Sequence, residues 1–246
     1  MPYNPFEKFG ISVVTAFFSQ RQDGNMSLTY GNTKDVSGNR KKFLASLGID
    51  YCNLVCAKQV HGKNVVYVKE SNIGSGALNY ESSIAATDGF ITDKKGIPLA
   101  ILTADCLSVF VYDPARPAVM LLHAGWRGTQ QNIAAEGIRM LQERFGSSPQ
   151  RLLVGFGPSI RSCCFEVDKD FKNSFPFGMV NREGRNFMDI ALINQQQLIN
   201  CGVKEKNIYD PGFCTFSNNQ DYFSYRKEAD KAGRMISVIM LNHKQL

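Results

Sequence analysis

Three histidines stand in the 246-residue sequence, and two of them lie in glycine-containing segments, Gln59-Val60-His61-Gly62 and His123-Ala124-Gly125-Trp126-Arg127-Gly128. The third, His243, is in the C-terminal tail. With Cys106 of Thr103-Ala104-Asp105-Cys106, His61 and His123 make a His, Cys, His set delivered from three separate stretches. Two imidazoles and a thiolate suit a tetrahedral ion, with nitrogen at about 2.0–2.1 Å and sulfur at about 2.3 Å. Three protein ligands with a fourth position open is the arrangement in which zinc acidifies a water and polarises a substrate oxygen. The same residues allow other readings. Cys106 and His123 alone would make a nucleophile and its base, and taken singly a cysteine in an apolar strand is a small core residue.

The chain after His123 adds an anion site. It passes through two glycines and Arg127 into a helical pattern over 129–145, with Thr129 as N-cap and Ala134, Ile138, Leu141 and Phe145 on one face. Free N–H groups at a helix start, the positive dipole end and a guanidinium suit phosphate or a developing oxyanion. Asp105, on the strand face opposite Cys106, would support a ligand, carry a proton or simply make a turn.

The elements that must position these residues are mostly strands. Asp113-Pro114-Ala115-Arg116 has the composition of a tight turn, with proline where its fixed φ fits. The apolar runs 107–112 and 118–123 then form a hairpin. With residues 113 and 116 facing each other, Cys106 falls opposite His123, where Cβ atoms lie roughly 4.5–5.5 Å apart. Further strands are expected over 13–19, 64–68, 89–92, 99–103, 152–156 and 235–241, and helices over 36–47, 190–199 and 227–234. The order is mixed α/β, and no repeat or linker divides it, so one domain over 1–246 is expected.

Composition narrows the class. Apolar residues at 43% and charged residues at 20% are ordinary globular usage. A net charge of +6 is compatible with an anionic small substrate. No basic stripe interleaved with exposed aromatics is present, so nucleic acid is not an expected partner; Arg40-Lys41-Lys42 reads as a solvated helix face. The most apolar region, 97–126, is broken by Asp105, Asp113 and Arg116, which excludes a membrane span. Seven dispersed cysteines read as reduced thiols, and residues 1–10 lack the apolar core of a signal peptide, so a cytoplasmic protein is expected. Cys52 and Cys56 read as core. Cys163 and Cys164, adjacent in sequence, would point to opposite faces of a strand and share no metal unless the loop there is irregular, and Cys201 and Cys214 have no evident partner.

Five segments in order carry a family resemblance: Lys58-Gln59-Val60-His61-Gly62; Thr103-Ala104-Asp105-Cys106-Leu107; His123-Ala124-Gly125-Trp126-Arg127-Gly128; Gly157-Pro158-Ser159-Ile160 with Cys164-Phe165-Glu166-Val167; and Tyr222-Phe223-Ser224-Tyr225-Arg226. They resemble the YfiH-like or laccase-domain proteins, first labelled multicopper polyphenol oxidases and later described as purine nucleoside-processing enzymes. The resemblance implies a mixed-sheet α/β sandwich and a metal site of His61, Cys106 and His123 holding zinc, with copper as the other metal the family label carries. It implies phosphorolysis of adenosine, inosine and methylthioadenosine, with adenosine deamination as a side activity. Purine nucleoside and phosphate are then the partners, in a monomer or homodimer. Arg127, Asp105 and Arg21, the last aligned with a Ser-Thr-Arg-like segment of the family, are the expected catalytic residues. The sequence departs from the family pattern at Ser108, where proline is common, at Arg161, where glycine is usual, and in a shorter stretch over 22–31.

Three alternatives stand beside this. A copper polyphenol oxidase needs more imidazoles than three histidines supply. A cysteine hydrolase built on a Cys106/His123 dyad has no use for His61. A peptidoglycan-editing factor without turnover would bind ligand and leave it unchanged.

Overall fold

Along β6 (Leu107–Asp113) and β7 (Ala118–Ala124) every residue is buried, so both faces of this hairpin are covered. The computed structural model of the chain describes residues 2–243; Met1 and 244–246, the ends of the expected domain, lie outside the described residues. Before the hairpin come β1 (Val14–Phe18), α1 (Val36–Ala45), β2 (Val55–Cys56), β3 (Val65–Tyr67), β4 (Gly89–Thr92) and β5 (Leu99–Thr103). After it come α2 (Trp126–Gln130), α3 (Ile133–Phe145), β8 (Leu153–Phe156), β9 (Glu166–Val167) and α4 (Phe171–Ser174). The chain continues through β10 (Met179–Arg182), β11 (Arg185–Met188), α5 (Ile190–Asn200), β12 (Ile208–Tyr209), α6 (Tyr225–Glu228) and β13 (Met235–Leu241).

Two mixed sheets result, one in the order β1-β13-β5-β2 and one in the order β12-β8-β6-β7-β4-β3, with a small β10-β11-β9 sheet beside them. The alternation of side chains sets the layers. Phe110, Tyr112, Val119 and Leu121 meet Leu99, Ile101, Ile239 and Leu241 of the four-stranded sheet. Val109, Val111, Met120 and Leu122 point the other way, against α3 and α5. Phe43 and Leu44 of α1 cover the outer face of the four-stranded sheet through Ala100, Ile236 and Val238. Helix, sheet, sheet, helix is the α/β sandwich expected. Each fully buried aliphatic or aromatic side chain at these interfaces contributes about 1.5–3 kcal/mol.

The hairpin register differs from the expectation by two residues. Asp113 faces Ala118, Ser108 faces His123 and Leu107 faces Ala124. The loop is Pro114 to Pro117, because Asp113 Oδ1 accepts the N–H groups of Ala115 at 2.9 Å and Arg116 at 3.1 Å, while Pro117 has no N–H to offer a ladder. A shift of two keeps every side chain on its expected face, so Cys106 still emerges on the side of His123, now across from Gly125.

Other elements are corrected as well. Helix over 129–145 is two helices: Gly125 caps α2, and Asn132 in the left-handed conformation (φ 60°) separates it from α3. Thr129 caps neither; its hydroxyl accepts from Asn194 at 2.9 Å. The helix over 227–234 is the single turn α6, begun at Tyr225 and ended at Ala229, whose φ is 50°. Arg40 is buried and donates to the carbonyls of Met26, Gly76 and Ala77 rather than facing solvent. Cys56 is core, but Cys52 is exposed.

Candidate metal centre

The donor atoms of His61, Cys106 and His123 all lie within 4.8 Å of one another at the end of the sandwich where β6 begins and β7 stops. His123 is 2% exposed and its ring stands 4.7 Å from that of His61, centroid to centroid, at 72°. What holds the group is Asp88, a fully buried carboxylate just before β4. Its Oδ1 takes the Nδ1 of His123 at 2.8 Å and the N–H of His61 at 2.9 Å. Its Oδ2 takes the N–H groups of Gly62 at 2.7 Å and Val60 at 3.2 Å. Burial works against ionisation of Asp88, but these donors and the His123 charge hold it below its ordinary value of 3.8. As an ionised carboxylate it only accepts, so Nδ1 of His123 carries the proton and Nε2 is turned toward Cys106. Gln59 anchors the same loop by donating to Leu102 O at 2.9 Å and accepting Leu102 N–H at 2.8 Å.

Close approach of the three donors requires Gly125. A Cβ there would stand 3.0 Å from Cys106 Sγ, 3.2 Å from the His61 ring and 3.7 Å from His123 Nε2. The donors also tune one another. Burial opposes the charged form of Cys106, yet the charge of His123 and hydrogen bonds from both imidazoles bring its thiol down to about 6. Burial likewise opposes charge on His123, yet the Cys106 sulfur and Asp88 raise it to about 9. Proton and cation therefore compete for the same three atoms. Two imidazoles and one ionised sulfur, with a carboxylate behind one imidazole, are a donor set that fits zinc.

Two clefts open on this group. One, about 270 Å³, is walled by Trp126, Ile160, Phe165 and Tyr225 and is mainly apolar; the other, about 380 Å³, is lined by Ser27, Thr29, Tyr30 and Arg234. His61, Cys106 and Arg127 border both. Arg127, on the first turn of α2, lies with its guanidinium 4.2 Å from the centre of the Trp126 ring.

The other expected catalytic residues stand differently. Asp105 borders the apolar cleft but lies in a bend with φ 90°, not on a strand. Its Oδ1 accepts from the Thr215 hydroxyl at 2.6 Å and its Oδ2 from the N–H of Arg226 at 2.7 Å. Both oxygens thus tie neighbouring segments to the residue before Cys106. Arg21 is not brought to the group: it pairs with Glu228 at 2.6 Å, donates to the carbonyls of Asn219 and Tyr222, and covers the Phe223 ring. Residues the motifs did not single out are Asp88, whose only mark is its place before an apolar strand, and Arg234. The cysteines also depart from expectation. Cys163 and Cys164 occupy a turn rather than a strand, and with Cys214 they form a second group of donors within 4.8 Å.

The sequence model of a family described as "Multi-copper polyphenol oxidoreductase laccase" matches residues 12–242. The chain is 32% identical over 226 residues to purine nucleoside phosphorylase YlmD of Geobacillus stearothermophilus, covering 87% of this chain and 82% of that one. It is 28% identical over 202 residues to adenosine deaminase RL5 from an unknown prokaryotic organism, covering 78% and 77%. A crystal structure of YlmD from Geobacillus stearothermophilus superposes with a TM-score of 0.90 at 30% identity, over 94% of this chain and 93% of that one. That of Bacillus licheniformis YfiH gives 0.89 at 33% identity, over 93% of each.

Proposed function

The chain belongs to the multi-copper polyphenol oxidoreductase laccase family, and we propose that it is a zinc-dependent purine nucleoside phosphorylase acting on adenosine, inosine and methylthioadenosine, with adenosine deamination as a side activity. The observation that carries this reading is the convergence of His61, Cys106 and His123 within 4.8 Å, between a mainly apolar cleft and one that also presents Ser27, Thr29 and Arg234. Relatives named for the two activities support it.

Zinc bound by these residues would supply a Lewis acid that polarises a substrate oxygen and acidifies water. The chain's own residues do the rest. Asp88 fixes the tautomer and the direction of His123. Trp126 and Phe165 offer the apolar wall a purine ring needs. Arg127, between the clefts, receives phosphate with Arg234 of the second cleft. In phosphorolysis, phosphate attacks the ribose carbon as the base leaves, and Arg127 offsets the charge carried in. In deamination, water adds to the ring carbon bearing the amine, the C–N bond to that amine breaks, and ammonia leaves with a proton from the water. Asp105 is a positioning residue, holding the 213–217 and 224–226 segments against Cys106. The protein is proposed to act in the cytoplasm as one domain over 1–246, monomeric or dimeric, with nucleoside and phosphate rather than nucleic acid as partners. Among the described residues no helix is long and apolar enough to cross a membrane.

A second reading, a cysteine hydrolase, draws on the lowered Cys106 thiol beside a raised His123. His61 separates the two, because a dyad does not need it. The test is elemental analysis of purified protein together with phosphate-dependent release of base from inosine and adenosine. Stoichiometric zinc and turnover lost together on chelation are expected. Full phosphorolysis in a metal-free preparation would overturn the proposal.

A further inference from the structure

A group of three sulfurs lies apart from the centre described above. The segments 159–165 and 213–217 run side by side, with Ser159 N–H donating to Phe213 O at 3.2 Å and Thr215 N–H to Ser159 O at 3.1 Å. Cys164 and Phe165 both return their N–H groups to Arg161 O, at 2.9 and 2.8 Å, so the chain coils instead of extending. That coil brings the adjacent thiols to one side, facing Cys214. Arg161 is itself fixed by Asp189 at 3.2 Å and Asp210 at 2.8 Å. Cys214 is 5% exposed, Cys164 half-buried and Cys163 exposed, so the group has a desolvated floor and an open side. The Ser217 hydroxyl stands 3.1 Å from Cys164 Sγ and 3.6 Å from Cys163 Sγ.

We propose that Cys163, Cys164 and Cys214 form a second metal site, independent of the first, for a thiophilic closed-shell cation, Zn²⁺ or Cu⁺. Thiolate donors with no imidazole or carboxylate among them select this class of ion. Three sulfurs around one ion at about 2.3 Å are separated by about 3.8–4.0 Å. The present span of at most 4.8 Å closes to that by small side-chain rotations. Each ligating thiol releases its proton to solvent, and Ser217 or water takes any fourth position. The bound ion would clamp Phe165, in the apolar cleft, to Thr215, which holds Asp105 beside Cys106.

The test is titration of reduced, metal-stripped full-length protein with Cd²⁺, read by thiolate-to-metal charge-transfer absorbance, with Zn²⁺ and Cu⁺ as separate competitors. Wild-type protein is expected to take up two ions. His61→Ala should retain one, with about three times the absorbance per ion of a single-thiolate site. Cys163→Ala, at an exposed position, should lose that ion and keep the one held by His61, Cys106 and His123. The competitor that displaces Cd²⁺ at the lower concentration identifies the cation. Equal uptake by wild type and Cys163→Ala would overturn the proposal. So would a peptide map of protein isolated without reductant that places a disulfide between two of Cys163, Cys164 and Cys214.

Discussion

The two donor groups are equal in number and span, three atoms within 4.8 Å in each, and almost nothing around them is alike. Around His61, Cys106 and His123 a buried carboxylate accepts from one imidazole and three backbone N–H groups, and a glycine clears the approach. Around Cys163, Cys164 and Cys214 only coiled backbone, a salt-bridged arginine and one serine hydroxyl do the holding. The first group mixes nitrogen with sulfur and opens on two clefts. The second is all sulfur and backs one cleft wall. Donor count alone does not distinguish a reaction centre from a fastening. What surrounds the donors, and whether a substrate can reach them, does.

That contrast can be broken at several points. His61→Ala should cost the protein the ion held with Cys106 and His123 and lower nucleoside turnover by more than about a hundredfold, beyond the effect of disturbing groups behind a ligand; the loss of one ion per chain and initial rates together check it, and turnover with that ion gone would erase the distinction. Asp88→Asn should weaken zinc binding by about 10–100-fold in chelator competition, since an amide cannot accept four donors and places its own N–H against backbone N–H. Asp88 is also an acid limit. Its pKa is lowered on folding, so its contribution to stability is complete above the unfolded carboxylate value of about 3.9 and fades as pH falls through the lower native value. Wild-type unfolding followed against pH should show this acid limb, and Asp88→Asn should flatten it. Arg127→Ala should raise the phosphate concentration for half-maximal rate about tenfold, the scale of one charged hydrogen bond, with zinc unchanged. An unaltered phosphate response removes Arg127 from the site. Smallest is Arg21→Ala, expected to cost about 1 kcal/mol of stability and to leave phosphate dependence as it was.

Much of the scaffold was legible in the residues. The strands over 89–92, 99–103 and 235–241 were read with the bounds the structure has, because unbroken apolar runs between turn residues have few other uses. The hairpin slipped by two because Asp113 and Pro117 together lengthen its loop, a matter of side-chain capping rather than hydrophobic pattern. The donors His61, Cys106 and His123 stood out by residue type and setting, and the structure brings them together. Asp88 did not stand out, since a lone carboxylate before a strand has no spacing to announce it. Arg21 rested on alignment alone, and the structure gives it to Glu228. Adjacency sends Cys163 and Cys164 to opposite faces of a strand and brings them together only where the loop is irregular; the bonds to Arg161 O supply that irregular coil.

The carboxylate before β4 serves two masters. Residues 60–62 cannot swing outward without stripping the neighbouring imidazole of its partner, and a disturbance at that imidazole is felt in the loop. Two donors from remote parts of the chain thus share one anchor point, so slackening at either spoils both at once, and the centre should come apart in a single step.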